Sequence, residues 1–167
     1  VIATADVSND GWDRLMFGFV VDAEGKTGYG AFMSRRTDKG EVVIGKPVVA
    51  QFELATGKLL RSVEVPWGVG HLVSVKGGRT LYAFGKDLYK IDTSGSELKV
   101  TETVPMFDKG MNILPFWDYA FDNGGVASMN YYTEKFMGLL LVDQQSGEVS
   151  DIVLEGEPAM AYSVVLA

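Results

Sequence analysis

The chain has 167 residues, 47% of them hydrophobic, with a net charge of −7, 20 glycines, one histidine and no cysteine. That apolar share is enough for a core and excludes a disordered chain. The acidic balance argues against nucleic acid and anionic membrane surfaces as partners, because both need a basic face, and the absence of cysteine removes disulfides, thiolate catalysis, Cys-bound zinc and haem attached to this chain.

Taken in order, residues 15–21 (Leu-Met-Phe-Gly-Phe-Val-Val) are an apolar run of strand length. A turn at 22–26 follows. Residues 27–33 place Tyr29, Ala31 and Met33 on one face by alternation. Residues 35–46 are polar, with two glycines, and predict a long hairpin loop. Strands follow at 47–54 and 59–65, with Pro47 at the first position, where a strand tolerates it. A second group of strands is predicted at 71–75, 80–84, 88–91 and 98–104. After a loop at 106–112 a third group occupies 114–121, 126–132, 137–142 and 149–154. Residues 159–166 read as the opening strand of a fourth. The longest apolar runs, Leu15–Val21 and Phe136–Val142, are far short of a membrane span, so no membrane insertion is expected. The sequence opens on Val1 and holds no signal peptide.

One phrase recurs. Phe52-Glu-Leu-Ala-Thr-Gly-Lys-Leu59, Tyr89-Lys-Ile-Asp-Thr-Ser-Gly-Ser-Glu-Leu98 and Leu140-Leu-Val-Asp-Gln-Gln-Ser-Gly-Glu-Val149 each end a strand, turn on a glycine and begin the next strand. The turn glycines, Gly57, Gly95 and Gly147, are 38 and 52 residues apart, and a four-stranded propeller blade takes about 40–50 residues. Each of the three is expected to supply the positive φ of its turn. The predicted fold is therefore all-β, a β-propeller of four-stranded antiparallel blades. About three and a half blades are present, at 12–66, 70–104 and 113–155, with the start of another at 158–167. Three units and a stray strand do not close a ring of about 4–8 blades, so the expectation is part of a longer chain.

Little conventional chemistry is visible. His71 is alone and heads an apolar strand, which suits a structural role. Asp6, Asp10 and Asp13 are loosely spaced like a calcium loop, but the glycine is misplaced and no glutamate closes the site. Gly68-Val-Gly70 is too short for a dinucleotide fingerprint. The densest cluster is aromatic: Phe116, Trp117 and Tyr119, with Tyr131 and Tyr132 across a hairpin. It reads either as packing within a blade or as a surface for a partner or substrate.

These stretches carry a family resemblance. Phe19-Val-Val-Asp-Ala-Glu-Gly25, Val65-Pro-Trp67, Leu81-Tyr-Ala-Phe-Gly-Lys-Asp-Leu-Tyr-Lys-Ile-Asp92, Phe116-Trp117, Tyr132-Thr133 and Gly138-Leu-Leu-Leu-Val-Asp143 resemble the propeller (β) subunit of quinohemoprotein amine dehydrogenases. That family belongs among YVTN-type seven-bladed propellers. The resemblance implies a seven-bladed subunit with no cofactor of its own. Its partners would be a small subunit bearing cysteine tryptophylquinone and a dihaem cytochrome subunit carrying haem c. The complex would oxidise primary amines in the periplasm and pass electrons to haem. The chain itself would hold no metal and no catalytic residue. Two other readings compete: a non-catalytic propeller that binds a protein or ligand, and a hydrolase propeller with a central metal, for which no convincing set of inward carboxylates is seen.

Overall fold

The computed structural model describes residues 13–22, 24–66, 68–75, 79–105, 112–113, 119–121, 126–132, 137–143 and 145–154. Every regular element among them is a strand, and every pairing is antiparallel. The strands form three sheets in sequence order, as four-stranded blades require. The first contains β1 (Asp13–Val21), β2 (Thr27–Asp38), β3 (Glu41–Ile44), β4 (Val48–Glu53) and β5 (Leu59–Glu64), ordered β1-β2-β4-β5 with β3 paired to β2. The second is β6 (Val69–Ser74), β7 (Thr80–Gly85), β8 (Leu88–Asp92) and β9 (Lys99–Val104), in that order. The third is β10 (Asn112–Ile113), β11 (Tyr119–Phe121), β12 (Val126–Tyr132), β13 (Met137–Asp143) and β14 (Val149–Leu154), with β10 and β11 both on β12. These are successive blades of a β-propeller. The start of a fourth blade at 158–167 lies outside the described residues, as do Asp6 and Asp10.

The alternation within each strand decides which blade it meets. Thr27 pairs with Glu53 and Thr80 with Asp92, which aligns the first two blades residue by residue. Val126 pairs with Asp143 and sets the same frame in the third. In this frame Tyr29, Ala31 and Val49 of the first blade turn toward the second. They share a buried cluster with Leu72, Leu81, Ala83, Tyr89 and Ile91. The opposite face of the second blade, with Val73, Tyr82, Phe84 and Leu88, shares another cluster with Leu140 and Val142 of the third. Strands buried on both faces read as continuous apolar runs rather than alternating ones, which is why 81–84 looks hydrophobic throughout. Leu72, Leu81, Ile91, Val49 and Val73 are wholly buried, and each such side chain contributes about 1.5–3 kcal/mol. Blade contact is therefore the main source of stability.

The strands β1 and β6 of the first two blades approach closely at Gly18. A Cβ there would stand 2.6 Å from the Gly70 carbonyl oxygen of β6, so only glycine fits. Two expectations need correction. Residues 35–46 are not a loop: β2 continues to Asp38 and returns through β3, forming a paired two-stranded arm. Of the three turn glycines, Gly57 (φ 72°) and Gly147 (φ 75°) are left-handed, but Gly95 has no positive φ. The second turn is shaped instead by Asp92, whose Oδ1 accepts from the Ser94 backbone N–H at 2.8 Å and its hydroxyl at 2.7 Å.

Candidate functional site

In up-and-down sheets the connections alternate between two ends. One end gathers the β1–β2 turn and the three repeated glycine turns. The other gathers the arm, the β7–β8 turn and the links between blades. The two ends carry different chemistry.

At the turn end, polar side chains fasten blade to blade. Tyr82 on β7 donates its hydroxyl to the Gly147 carbonyl of the third blade at 2.6 Å. Tyr29 occupies the equivalent position on β2, but its hydroxyl accepts from Gln51 Nε2 at 3.0 Å. Gln51 also donates to the Thr27 hydroxyl at 2.9 Å and accepts from Arg61 Nε at 2.5 Å. The Arg61 guanidinium then reaches the second blade, donating to the Thr93 carbonyl at 2.8 Å and to the Gly95 carbonyl. In both cases the earlier blade donates and the glycine turn of the next accepts. Carboxylates shape the turns themselves. Asp143 Oδ1 accepts from the backbone of Gln145 and Ser146 at 2.8 and 2.7 Å. Asp22 accepts from Lys26 N at 3.0 Å and the Thr27 hydroxyl at 2.6 Å. Burial alone would push the Asp22 carboxyl up, but hydrogen bonds from Thr27, Lys26 and Gly25 outweigh it and hold it below the usual 3.8. Asp92 is likewise held low, first by the Ser94 backbone bond and then by its hydroxyl.

At the other end, the arm stands clear of the blade. Its hairpin turns on Lys39 (φ 50°) and Gly40 (φ 85°), the two positive φ values of a two-residue turn whose twist matches the strands. The base is clamped. Ser34 is buried, donates its hydroxyl to the Lys46 carbonyl at 2.8 Å and accepts from Arg14. Its own carbonyl accepts from Gly45 N at 2.9 Å. Beyond this base Val42 is 67% exposed and Ile44 59% exposed. They lie opposite Thr37 and Arg35 on one face, so that face presents two aliphatic side chains beside a guanidinium.

The aromatic cluster read from sequence is only partly placed. Phe116 and Trp117 lie outside the described residues. Tyr119 pairs with Met129, Tyr131 with Ile113 and Tyr132 with Asn112. Tyr119 and Tyr131 thus share the alternation of Met129 and its partner Leu140, while Tyr132 falls on the other. His71 is buried on β6 opposite Phe84. Among the described residues no group of three or more His, Cys, Asp or Glu is placed to hold a metal, and no helix is long and apolar enough to cross a membrane. The sequence reading missed Arg61, Gln51 and Tyr82 as fasteners. One signal could have found part of the set, since Thr27-Gly-Tyr29 and Thr80-Leu-Tyr82 repeat at the same blade position.

No protein-family model matches the chain, and no curated protein matches it. Solved structures do. The β-propeller domain of Myceliophteria thermophila Cps50 (Swd1) superposes with a TM-score of 0.52 at 13% identity, over 91% of this chain and 46% of that one. Dihydro-heme d1 dehydrogenase NirN in complex with DHE gives 0.44 at 12%, over 81% and 37%. Saccharomyces cerevisiae Sqt1 gives 0.43 at 10%, over 83% and 51%. The chain spans about half the length of the propeller domain first named. At these identities the likeness concerns fold alone.

Proposed function

We propose that this chain is a non-catalytic propeller segment whose work is to bind another protein through its arm end. One observation carries the reading. The arm projects two aliphatic side chains, Val42 and Ile44, into solvent on a base tied by three hydrogen bonds around Ser34 and Gly45. Exposed aliphatic residues on a rigid projection lower the cost of docking, because little order is lost on binding. The turn end is committed to fastening blades, which leaves the arm end as the surface for a partner.

The more specific form of this proposal rests on the sequence resemblance. In it the partners are a small subunit with cysteine tryptophylquinone and a dihaem cytochrome, and the complex oxidises primary amines in the periplasm. The propeller would position and wall a cofactor held by another subunit. The test has two arms. A tagged chain expressed in its own cells should retain its co-purifying subunit, and Val42→Asp with Ile44→Asp should release that subunit while leaving the melting temperature within about 2 °C, as surface changes do. Retention by the double variant would overturn the arm reading. Quinone and haem staining of the wild-type complex, with amine-dependent dye reduction, tests the specific form; a complex lacking all three signals would sink the amine dehydrogenase reading alone.

A further inference from the structure

The arm is also a sheet edge. Gly45 N donates to the Ser34 carbonyl at 2.9 Å, and β3 carries the register on from Arg35↔Ile44 to Asp38↔Glu41. Bonded and non-bonded pairs alternate in an antiparallel ladder. The 36–43 and 38–41 pairs are therefore the bonded ones, and the N–H and C=O groups of Val42 and Ile44 point away from β2. Among the described residues β3 pairs with β2 alone, and the high exposure of Val42 and Ile44 is that of an outer strand. Outer strands are usually blunted by charge or proline. β5 carries Arg61 and Glu64, and β9 carries Lys99 and Glu102. β3 instead has Val42, Val43 and Ile44 in a row, the β-branched side chains that suit a strand best. An apolar edge of this kind is a template for another strand.

Charge chooses among the strands that could add. Residues 35–44 hold Arg35, Arg36 and Lys39 against Asp38 and Glu41, a balance of +1 in a chain of −7. An added strand would set two residues, two positions apart, beside Val42 and Ile44 on one side of the sheet. Behind Val42 stands Thr37, and behind Ile44 stands the exposed Arg35. The first place suits an aliphatic residue. The second suits a carboxylate, which with the extended guanidinium spans two inter-strand steps of about 4.8 Å each. A second copy fits poorly. The register that uses the whole edge, two antiparallel β3 strands centred on Val43, sets Ile44 against the other copy's Val42 and Glu41 against its Gly45. It brings no carboxylate beside Arg35 and no cation beside Glu41, and it joins two chains of −7.

We propose that the arm takes its partner by strand addition. An extended segment of another protein pairs its main chain with Val42 and Ile44, with an aliphatic residue beside Val42 and an aspartate or glutamate beside Ile44. This rests on the arm reading and specifies it.

The experiment is residue-resolved hydrogen exchange on the full natural protein, tagged in its own cells, free and with the subunit it retains. In the free protein the Val43 and Gly45 amides should be protected and those of Val42 and Ile44 should not. In the complex Val42 and Ile44 should slow by at least about tenfold. Ile44→Pro removes an outward N–H and leaves the ladder to β2 intact, so it should release the subunit while Val43 and Gly45 stay protected. Val42 and Ile44 amides no slower in the complex overturn strand addition, as does retention by Ile44→Pro; if Val42→Asp with Ile44→Asp still releases the subunit, the arm reading stands without it. Retention by the aspartate pair as well overturns both. Arg35→Glu should raise the Kd by at least about tenfold at low salt and by less at high salt, and an unchanged Kd overturns the acidic occupant. Protection of Val42 and Ile44 in the free protein that rises with its concentration would put a second copy on the edge and overturn the proposal.

Discussion

Tyr82→Phe is the cleanest perturbation of a blade fastener, because it removes one oxygen and leaves the ring. The lost bond joins the Tyr82 hydroxyl to the Gly147 carbonyl at 2.6 Å. A net hydrogen bond contributes about 0.5–1.5 kcal/mol. Gly147 is half-buried, so water can reach the abandoned carbonyl and the cost falls near the middle of that range. About 1 kcal/mol corresponds to a drop of about 2–4 °C in melting temperature for a chain of this size. Arg61→Met removes bonds to Gln51, Thr93 and Gly95 together. Bonds to a charged group are stronger, at about 1.5–3 kcal/mol, but solvent reaches this guanidinium, and about 2–3 kcal/mol in total is expected. The two variants share no partner and act at different interfaces, so their effects should add to within about 0.5 kcal/mol. Urea unfolding of the single and double variants, followed by circular dichroism, measures all three quantities. An unchanged midpoint for Tyr82→Phe would refute the fastener; a loss above about 3 kcal/mol would show that the ring's packing had been disturbed instead.

Other outcomes follow from the same geometry. Gly147→Ala and Gly57→Ala should each cost about 1–2 kcal/mol from the left-handed backbone alone, whereas Gly95→Ala should stay within about 0.5 kcal/mol; equal losses at all three would contradict the φ values. Gly18→Ala forces a methyl against the Gly70 carbonyl and should cost about 1–3 kcal/mol, read as a lower urea midpoint. Asp92 has a native pKa below the usual 3.8, so its contribution is present above about pH 4 and is lost as pH falls through the lowered native value. Asp92→Asn should therefore flatten the acid side of the stability profile, and a profile parallel to the wild type would remove Asp92 from the account.

Much of the fold was legible because strand and turn signals are local. The second blade shows it best: strands expected at 80–84 and 88–91 stand at Thr80–Gly85 and Leu88–Asp92, between a glycine turn and a Ser/Thr-Gly phrase. The arm was not legible. Arg35, Arg36, Thr37 and Asp38 are polar on both faces because water surrounds both, and a strand with two wet faces has no period-2 signature. Its evidence lay in Lys39-Gly40 between Thr37 and Val42, a hairpin turn lost within a polar stretch. Gly95 misled for the opposite reason. It sits in the repeated phrase, but Asp92 and Ser94 supply the bonds that bend the chain, and the positive φ becomes unnecessary.

The fasteners show why a repeated fold need not repeat its sequence. What the next blade offers is constant, a backbone carbonyl on a glycine turn, however that turn is bent. What reaches it is free to vary, provided that it donates a hydrogen bond and has the length. In the second blade the middle strand supplies Tyr82 directly. In the first, the same position holds Tyr29, but Gln51 engages its hydroxyl and the outer strand supplies Arg61 instead. A comparison of residues sees a tyrosine in both places and an arginine in one, with nothing to connect Arg61 to Tyr82. The connection appears only in three dimensions, where two strands flank one corner and either can reach across. Fasteners of different chemistry also limit exchange between blades. A second-blade sheet in the first position would place Glu102, a carboxylate that cannot donate, where the Arg61 guanidinium now makes two bonds to the next turn. Blade order is then specified by polar groups at the rim, while the apolar layers between blades supply most of the stability.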